Sequence, residues 1–457
     1  MNSVAFVTLG CKLNYAETAT YARAFKAAGF EVVPWSRGAD LFVVNTCSVT
    51  ATSDSKSRSA IRKLHRIRPD APIVVTGCYA ELRREEVAAI EGVALVFGAA
   101  EKARLVPDTL AHFSAISGPS RAGAAPGNAS LRSAPPFAKL TVPPLMLPRV
   151  AQFPGTAPAQ DSQPTSDVFG AYSIGGRTRS FLKVQDGCDN FCAYCTVPYA
   201  RGRSRNLPIC EVVRAAREIA ASGAREIVLT GVNTGDFGRS TGESFLDLLK
   251  ALNEVEGIER YRISSIEPNL ITEEIVDWIA SGTKFLPHFH IPLQTGSDVQ
   301  LKRMGRKYTT AFFRERIEYI RARMEGPGRP KVFFGIDVMV GLPGETPELF
   351  EETRAFIESV RPSFIHIFPY SRRPGTRAAQ WPDQVPEAVK DERVKVLEAL
   401  CDRLHAEFVE ANRGICERVL WESKEKDSTM SGFTGNYIKV SRPYDPALSG
   451  TVTEVIL

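Results

Sequence analysis

Three apolar runs in the first hundred residues end the same way: VAFVTLGC closes on Cys11, LFVVNTC on Cys47 and PIVVTGC on Cys78. Each run is short enough for a buried strand and each gives way to a helical pattern, so the segment predicts an open parallel α/β sheet. In such a sheet every strand finishes on one edge, and ligands bind along that edge. The repeat therefore predicts that three cysteines, roughly 30–36 residues and so one βα unit apart, meet in space. A single buried structural cysteine is common; the same position in three successive units is poorly explained that way.

A second group follows in DGCDNFCAYCTVPYARGRSR, Asp186 to Arg205, where Cys188, Cys192 and Cys195 have the spacing C-x3-C-x2-C just after another predicted strand. A structural zinc or a closed iron–sulfur cluster takes four ligands. Three thiolates can instead hold three irons of a cubane and leave the fourth open to another ligand. A zinc completed by a distant histidine is the plain alternative, but His288 and His290 lie inside a strand pattern and offer no ligand spacing. Nine cysteines in 457 residues, with no signal peptide and no apolar run long enough for a membrane span, point to metal or redox chemistry in a reducing compartment, the cytoplasm. The net charge of +5 is too mild to announce a nucleic-acid partner by itself.

The chain divides by composition. Residues 1–113 form the first α/β unit. Residues 114–173 are rich in Pro, Ala, Gly and Ser and read as a flexible or extended linker, with PPFAKLTVPPLMLP apolar enough to dock somewhere. From 174 to 403, six strand patterns (SFLKVQD, REIVLTGV, RYRISSIEP, PHFHIPLQ, VFFGIDVMVG, SFIHIFPYS) alternate with helices, predicting a full or partial parallel barrel with its chemistry at the strands' carboxyl ends. A long helix at about Pro386–Asn412 follows. Residues 404–457 end in a small all-β module with turn signals at SGFTGN and PALSG.

The three-cysteine loop, with Tyr194 before its last cysteine, resembles the radical S-adenosylmethionine superfamily. The resemblance narrows to the methylthiotransferase branch over nearly the whole chain, on TLGCKLNYAET, NTCSVTATSDSKSR, VVTGCYA, HIPLQTGSD, KRMGRKYT, GLPGET and FPYSRRPGT. It implies a partial (β/α)6 core and two 4Fe–4S clusters. One, on Cys188, Cys192 and Cys195, would chelate S-adenosylmethionine and release a 5′-deoxyadenosyl radical. The other, on Cys11, Cys47 and Cys78, would present sulfur, methylated by a second S-adenosylmethionine. By the same resemblance Gly231, Asn233, Ser264, Glu267 and Gln294 would line the nucleoside pocket, with backbone from Val338 to Gly341 against the adenine. Cys210, Cys401 and Cys416 match no motif.

The family's substrates are a hypermodified adenosine beside the tRNA anticodon or an aspartate of a ribosomal protein. RNA is favoured by KSRSAIRKLHRIR, where helical spacing puts Ala60, Leu64 and Ile67 inward and Arg58, Arg62 and Arg66 in an outward row. Arg201, Arg203 and Arg205 would either grip phosphate or anchor their loop. The C-terminal module resembles the TRAM domain at GNYIKV, with Phe433, Tyr437 and Lys439 as a base-stacking and phosphate surface or part of a core. The motifs look most like enzymes acting on N6-threonylcarbamoyladenosine at position 37, then the isopentenyladenosine branch, then the ribosomal-protein branch. Expected partners are a tRNA anticodon stem-loop and a flavodoxin or ferredoxin as electron donor.

Overall fold

The computed structural model describes residues 2–117, 168–175 and 178–457. Its first unit is a five-stranded, all-parallel sheet: β1 (Ser3–Thr8), β2 (Glu31–Val32), β3 (Leu41–Thr46), β4 (Ile73–Gly77) and β5 (Val93–Phe97), in the order β2-β1-β3-β4-β5. Helices α1 (Lys12–Ala27), α2 (Ala51–Ile67), α3 (Cys78–Leu82), α4 (Arg84–Ala88) and α5 (Leu105–Ser117) connect and flank it. Covered on both faces, β3 buries all six of its residues, as a continuous apolar run in a parallel sheet should. The strand order reverses between β1 and β3, which is where open α/β sheets bind ligands. Cys11, Cys47 and Cys78 follow three adjacent strands at that edge.

α2 starts where Thr50 accepts a hydrogen bond from the Ser53 N–H, an N-cap. Its buried face is Asp54, Ser57, Ile61 and Leu64. Of the expected inward residues only Leu64 is there; Ile67 is 38 % exposed and Ala60 half-buried. The stripe is displaced because Asp54 and Ser57 turn inward to bond Ser48 and the Cys47 carbonyl.

Both bounds expected for the linker fall within described structure. α5 runs on to Ser117, and residues 168–175 lie between α1 and the next unit, with Phe169 stacked on Tyr21 and Tyr172 bonded to Thr20 and Arg23. PPFAKLTVPPLMLP falls outside the described residues.

The second unit is the expected partial barrel. Strands β6 (Arg179–Lys183), β9 (Glu226–Thr230) and β10 (Arg260–Ile263) form one parallel sheet. β11 (His288–Gln294), β12 (Phe333–Val340) and β13 (Phe364–Pro369) form another, and parallel bridges Tyr261–Phe285 and Ser265–His290 join the two. A short hairpin, β7 (Gln185–Asp186) with β8 (Arg205–Asn206), carries the three-cysteine loop and α6 (Val197–Arg201). Around the outside run α7 (Ile209–Ala221), α8 (Phe245–Asn253), α9 (Glu273–Ala280), α10 (Asp298–Met304), α11 (Thr310–Met324) and α12 (Pro347–Val360). Strand alternation sends Ile227, Leu229, Ile263, Phe289, Ile291, Ile336 and Val338 out to these helices. The opposite parity points Arg262, His290, Asp337 and His366 into the lumen. Among the described residues no ladder joins β6 to β13: β6 pairs with β9 on one edge and, at Tyr172–Leu182, with residues 171–173 on the other, and β13 pairs with β12, so the barrel is open along this side, where α1 packs against β6.

α13 (Glu387–Glu410) packs on β13, so residues 404–410, expected in the last module, continue this helix. The C-terminal module is an antiparallel sheet in the order β16-β15-β14-β17, comprising β14 (Cys416–Lys426), β15 (Thr429–Phe433), β16 (Lys439–Pro443) and β17 (Val452–Ile456). It is curled, as a small barrel is, and it closes the amino-terminal end of the large barrel. There Glu226 bonds Arg260 (2.6 Å) and Arg262 (3.3 Å), and the two arginines donate to carbonyls of Arg418, Phe433, Thr434 and Gly435. Tyr437 packs on His288, Phe333 and Arg262, and Phe433 on Tyr437 and Arg179. Of the two readings of Phe433 and Tyr437, the core holds: they dock the module, leaving Lys439 exposed.

Candidate functional site

At the edge of the first sheet the three cysteines converge. Gly10, at φ +99°, lies so close to Cys47 that a Cβ on it would sit 2.7 Å from the Cys47 Cβ and 2.9 Å from its Sγ. Gly77, also at φ +99°, lets Cys78 begin α3 against the Thr46 carbonyl, which a Cβ would meet at 2.3 Å. Cys11, Cys47 and Cys78 lie within mutual electrostatic reach. Asn14, one helical turn past Cys11, ties the group together from behind. Its Nδ2 donates to the carbonyls of Leu9 (2.7 Å) and Thr46 (2.9 Å), and Asn45 Nδ2 donates to the Asn14 carbonyl (3.1 Å).

The second trio sits at the carboxyl end of the barrel strands. Gln185 anchors its loop: Nε2 donates to the Gly187 carbonyl and to Ser204 Oγ, while Oε1 accepts the N–H groups of Val232 and Asn233. Donors point at the sulfurs: Asn190 N–H to Cys188 Sγ (3.5 Å), Val197 N–H to Cys195 Sγ (3.4 Å) and Arg306 to Cys192 Sγ (3.2 Å). All nine cysteines are free of disulfides.

Burial pushes the Cys78 thiol up to about 11 and Cys188 up to about 12, and raises Cys47 and Cys195. Bare protein therefore disfavours these thiolates, and a bound cationic metal centre would supply the missing charge. Two compact sets of three sulfur donors, one with N–H groups aimed at its sulfurs, fit two clusters that each keep an open iron.

Around the second trio the proposed cofactor residues occupy successive strand ends. Asn233 Oδ1 accepts the Glu267 N–H (3.1 Å), and Glu267 pairs with Arg306, the arginine on Cys192. Burial raises the Glu267 carboxyl against the pull of Arg306. Ser264 Oγ is buried with no hydrogen-bond partner, and Asn233 Nδ2 and Asp236 Oδ2 beside it have only each other. Such groups around one rim fit a polar, hydroxyl- and charge-bearing ligand such as S-adenosylmethionine. Gln294 is held at φ +68° at a bulge in β11, strain of the kind that marks binding sites. Gly231 stands beside the Gln185 anchor. Tyr194 packs with Met304, Met339 and Tyr370. Two positions are less open: the Val338 side chain is wholly in the helix-facing core, and the Gly341 N–H is taken by Glu345 Oε1 (2.8 Å).

Sequence reasoning missed what joins the two trios. Glu17 of α1 is fully buried and accepts from Lys102 (2.8 Å), Lys183 (3.1 Å) and Arg201 (3.2 Å). Arg201 also donates to Asp186 Oδ1 (2.9 Å) and to Asn14 Oδ1 (2.6 Å), linking the second cysteine loop to the residue behind the first. Arg205 reaches the Arg201 carbonyl (2.6 Å), so of the two readings for the three arginines the loop anchor holds for Arg201 and Arg205, while Arg203 stays exposed beside Asp189 (3.4 Å). A second tie runs from Arg373 to Ser48 Oγ (2.9 Å) and Asp54 Oδ2 (2.7 Å), beside Cys47. Arg306 and Arg373 stand in KRMGRKYT and FPYSRRPGT, motifs visible in the sequence with no role attached.

Two family models match: residues 3–98 an uncharacterized protein family, UPF0004, and residues 182–357 the radical SAM superfamily. The chain belongs to the radical S-adenosylmethionine methylthiotransferases, enzymes that use S-adenosylmethionine and 4Fe–4S clusters. Among its relatives, a threonylcarbamoyladenosine tRNA methylthiotransferase of Bacillus subtilis is 38% identical, covering 96% of this chain and 90% of the relative. One of the same name from Aquifex aeolicus is 34% identical, covering 96% of each. A tRNA-2-methylthio-N6-dimethylallyladenosine synthase of Geobacter metallireducens is 32% identical over 98% of this chain and 94% of the relative. The fold is that of a radical S-adenosylmethionine methyltransferase from Kitasatospora setae, at TM-score 0.55 and 19% identity over 83% of this chain and 77% of that one. Among the described residues no helix is long and apolar enough to cross a membrane.

Proposed function

We propose that this chain methylthiolates C2 of N6-threonylcarbamoyladenosine at position 37 of tRNA. The observation that carries this reading is the pair of three-cysteine sites held across one interface by Arg201, Glu17 and Arg373. Cys188, Cys192 and Cys195 would hold the cluster whose bound S-adenosylmethionine supplies a hydrogen-abstracting carbon radical, and Cys11, Cys47 and Cys78 the cluster that supplies sulfur.

The protein's own part is positioning. Arg306 fixes Glu267 and one cysteine together, Gln185 holds the loop to β9, and Asn14 holds the sulfur-presenting edge in register. The two relatives named for threonylcarbamoyladenosine, at 38% and 34% identity, support this base over dimethylallyladenosine, at 32%. Phosphate contacts would come from exposed Lys56, Arg62, Lys63 and Arg66 on α2 and from Lys439 and Arg442 on the C-terminal module. Arg58 is engaged by Glu86. A flavodoxin or ferredoxin would deliver the electron.

The test is mass spectrometry of tRNA nucleosides from a strain lacking the gene, with and without its restoration. The expected result is loss and return of 2-methylthio-N6-threonylcarbamoyladenosine. Loss of the dimethylallyl analogue alone would move the substrate assignment. No change in either would favour the ribosomal-protein aspartate.

A further inference from the structure

Lys12 follows Cys11 and opens α1, so its side chain leaves from beside the first cysteine trio, at the open side of the barrel. It is surface-accessible and has no hydrogen bond and no ion pair among the described residues. Among the charged groups near it, Arg262 and Arg179 repel it and Asp337 and Cys11 attract it, and it acts in turn on His288 and His366 of the lumen. Asp337 is already occupied, bonded to His290 Nε2 at 2.7 Å. His366 stacks against His290 with ring centroids 5.0 Å apart. On the same face of β13, Phe368 is 46 % exposed, an apolar ring left open on a barrel strand. The lumen thus presents an ammonium with no ion-pair partner among the described residues, two imidazoles and an aromatic face. The same cations argue against a metal at His290, Asp337 and His366, although the three could reach one ion.

We propose that Lys12 is a specificity-determining residue that receives the carboxylate of the substrate's N6 substituent, so that the lumen selects a carboxylate-bearing adenosine over an apolar one. The inference rests on the function proposed above. A threonylcarbamoyl group ends in a carboxylate at neutral pH; a dimethylallyl group is a neutral hydrocarbon. The first would pair with the ammonium in a charge-assisted bond, whereas the second would strip water from it and return nothing.

The experiment uses the enzyme with both clusters in place and three synthetic anticodon stem-loops, carrying threonylcarbamoyladenosine, its carboxylate methyl ester, or dimethylallyladenosine. kcat/KM for methylthiolated product is read by mass spectrometry. The unaltered enzyme should prefer acid to ester about 10- to 100-fold, the range of one hydrogen bond to a charged group. Lys12→Met should erase that preference and Lys12→Arg keep most of it. Equal turnover of acid and ester by the unaltered enzyme overturns the inference with no variant involved, and so does a Lys12→Met enzyme that still prefers the acid. An unaltered enzyme that processes only the dimethylallyl stem-loop overturns the proposed function itself.

Discussion

Replacing Glu17 by Gln removes one charge from a site whose carboxylates and cations are almost wholly shut off from the surface. Two carboxylates, Glu17 and Asp186, there face four cations, Lys102, Lys183, Arg201 and Arg205. Each Glu17 contact, at 2.8 to 3.2 Å, carries a gross attraction of about 5 kcal/mol at an effective dielectric near 20. Desolvation of a fully buried carboxylate offsets much of that sum. What remains measurable is the loss when one partner of a buried pair goes, about 3–5 kcal/mol. Glutamine keeps one acceptor oxygen, so the lower figure applies. At about 2.1 cal/mol/K per residue, 457 residues give roughly 1 °C per kcal/mol, so the melting temperature should fall by about 3 °C. Because the lost contacts join the two cysteine sites, 5′-deoxyadenosine formed per methylthiolated product should rise as well. Anaerobic thermal scans and product ratios on the same preparation read both effects. An unchanged melting temperature with an unchanged ratio would refute the view that this network sets the two sites against each other. Glu17→Gln combined with Lys102→Met, which removes a cation too, should recover part of the loss.

The same network predicts acid sensitivity. Burial pushes the Glu17 and Asp186 carboxyls up, but Lys102, Lys183 and Arg201 outweigh it and hold both below the usual carboxylate range. Their contribution is therefore complete above an unfolded pKa of about 4 and is lost as pH falls towards the folded values, so stability scans should be flat from neutral pH to about 5 and drop below it. Cys192→Ala should abolish cleavage of S-adenosylmethionine to 5′-deoxyadenosine, whereas Cys47→Ala should leave cleavage intact and stop thiolation, both followed by chromatography of the nucleosides. Arg306→Leu removes a cation 3.2 Å from Cys192 Sγ and should lower the reduction potential of that centre, read by redox titration under EPR.

What the sequence disclosed and what it hid follow one physical line. Cys11, Cys47 and Cys78 are legible because a buried parallel strand is a continuous apolar run, and the residue after it must lie at the sheet edge. Glu17 is not, since an acidic residue on a helix ordinarily reads as a solvated face. Its partners come from 85, 166 and 184 residues away, where no local pattern reaches. The stripe of α2 was obscured in a related way: Asp54 and Ser57 turn inward for hydrogen bonds, so hydrophobicity alone picks a neighbouring face. Tyr437 shows the converse, an aromatic beside a lysine whose ring is spent on an intramolecular seam.

The gap between β6 and β13 also sets the kind of molecule that can be a substrate. A closed barrel admits ligands only through its mouth, and here the C-terminal module seals the amino end. The remaining approaches are the carboxyl mouth, where Cys188, Cys192 and Cys195 stand, and the side between β6 and β13 that α1 borders. For a nucleic acid this is a demand on topology before chemistry: a stacked, paired base cannot turn into either opening, whereas one swung out of a loop can. The wall of the fold would thus sort strands by their freedom to unstack before any side chain reads what the base carries.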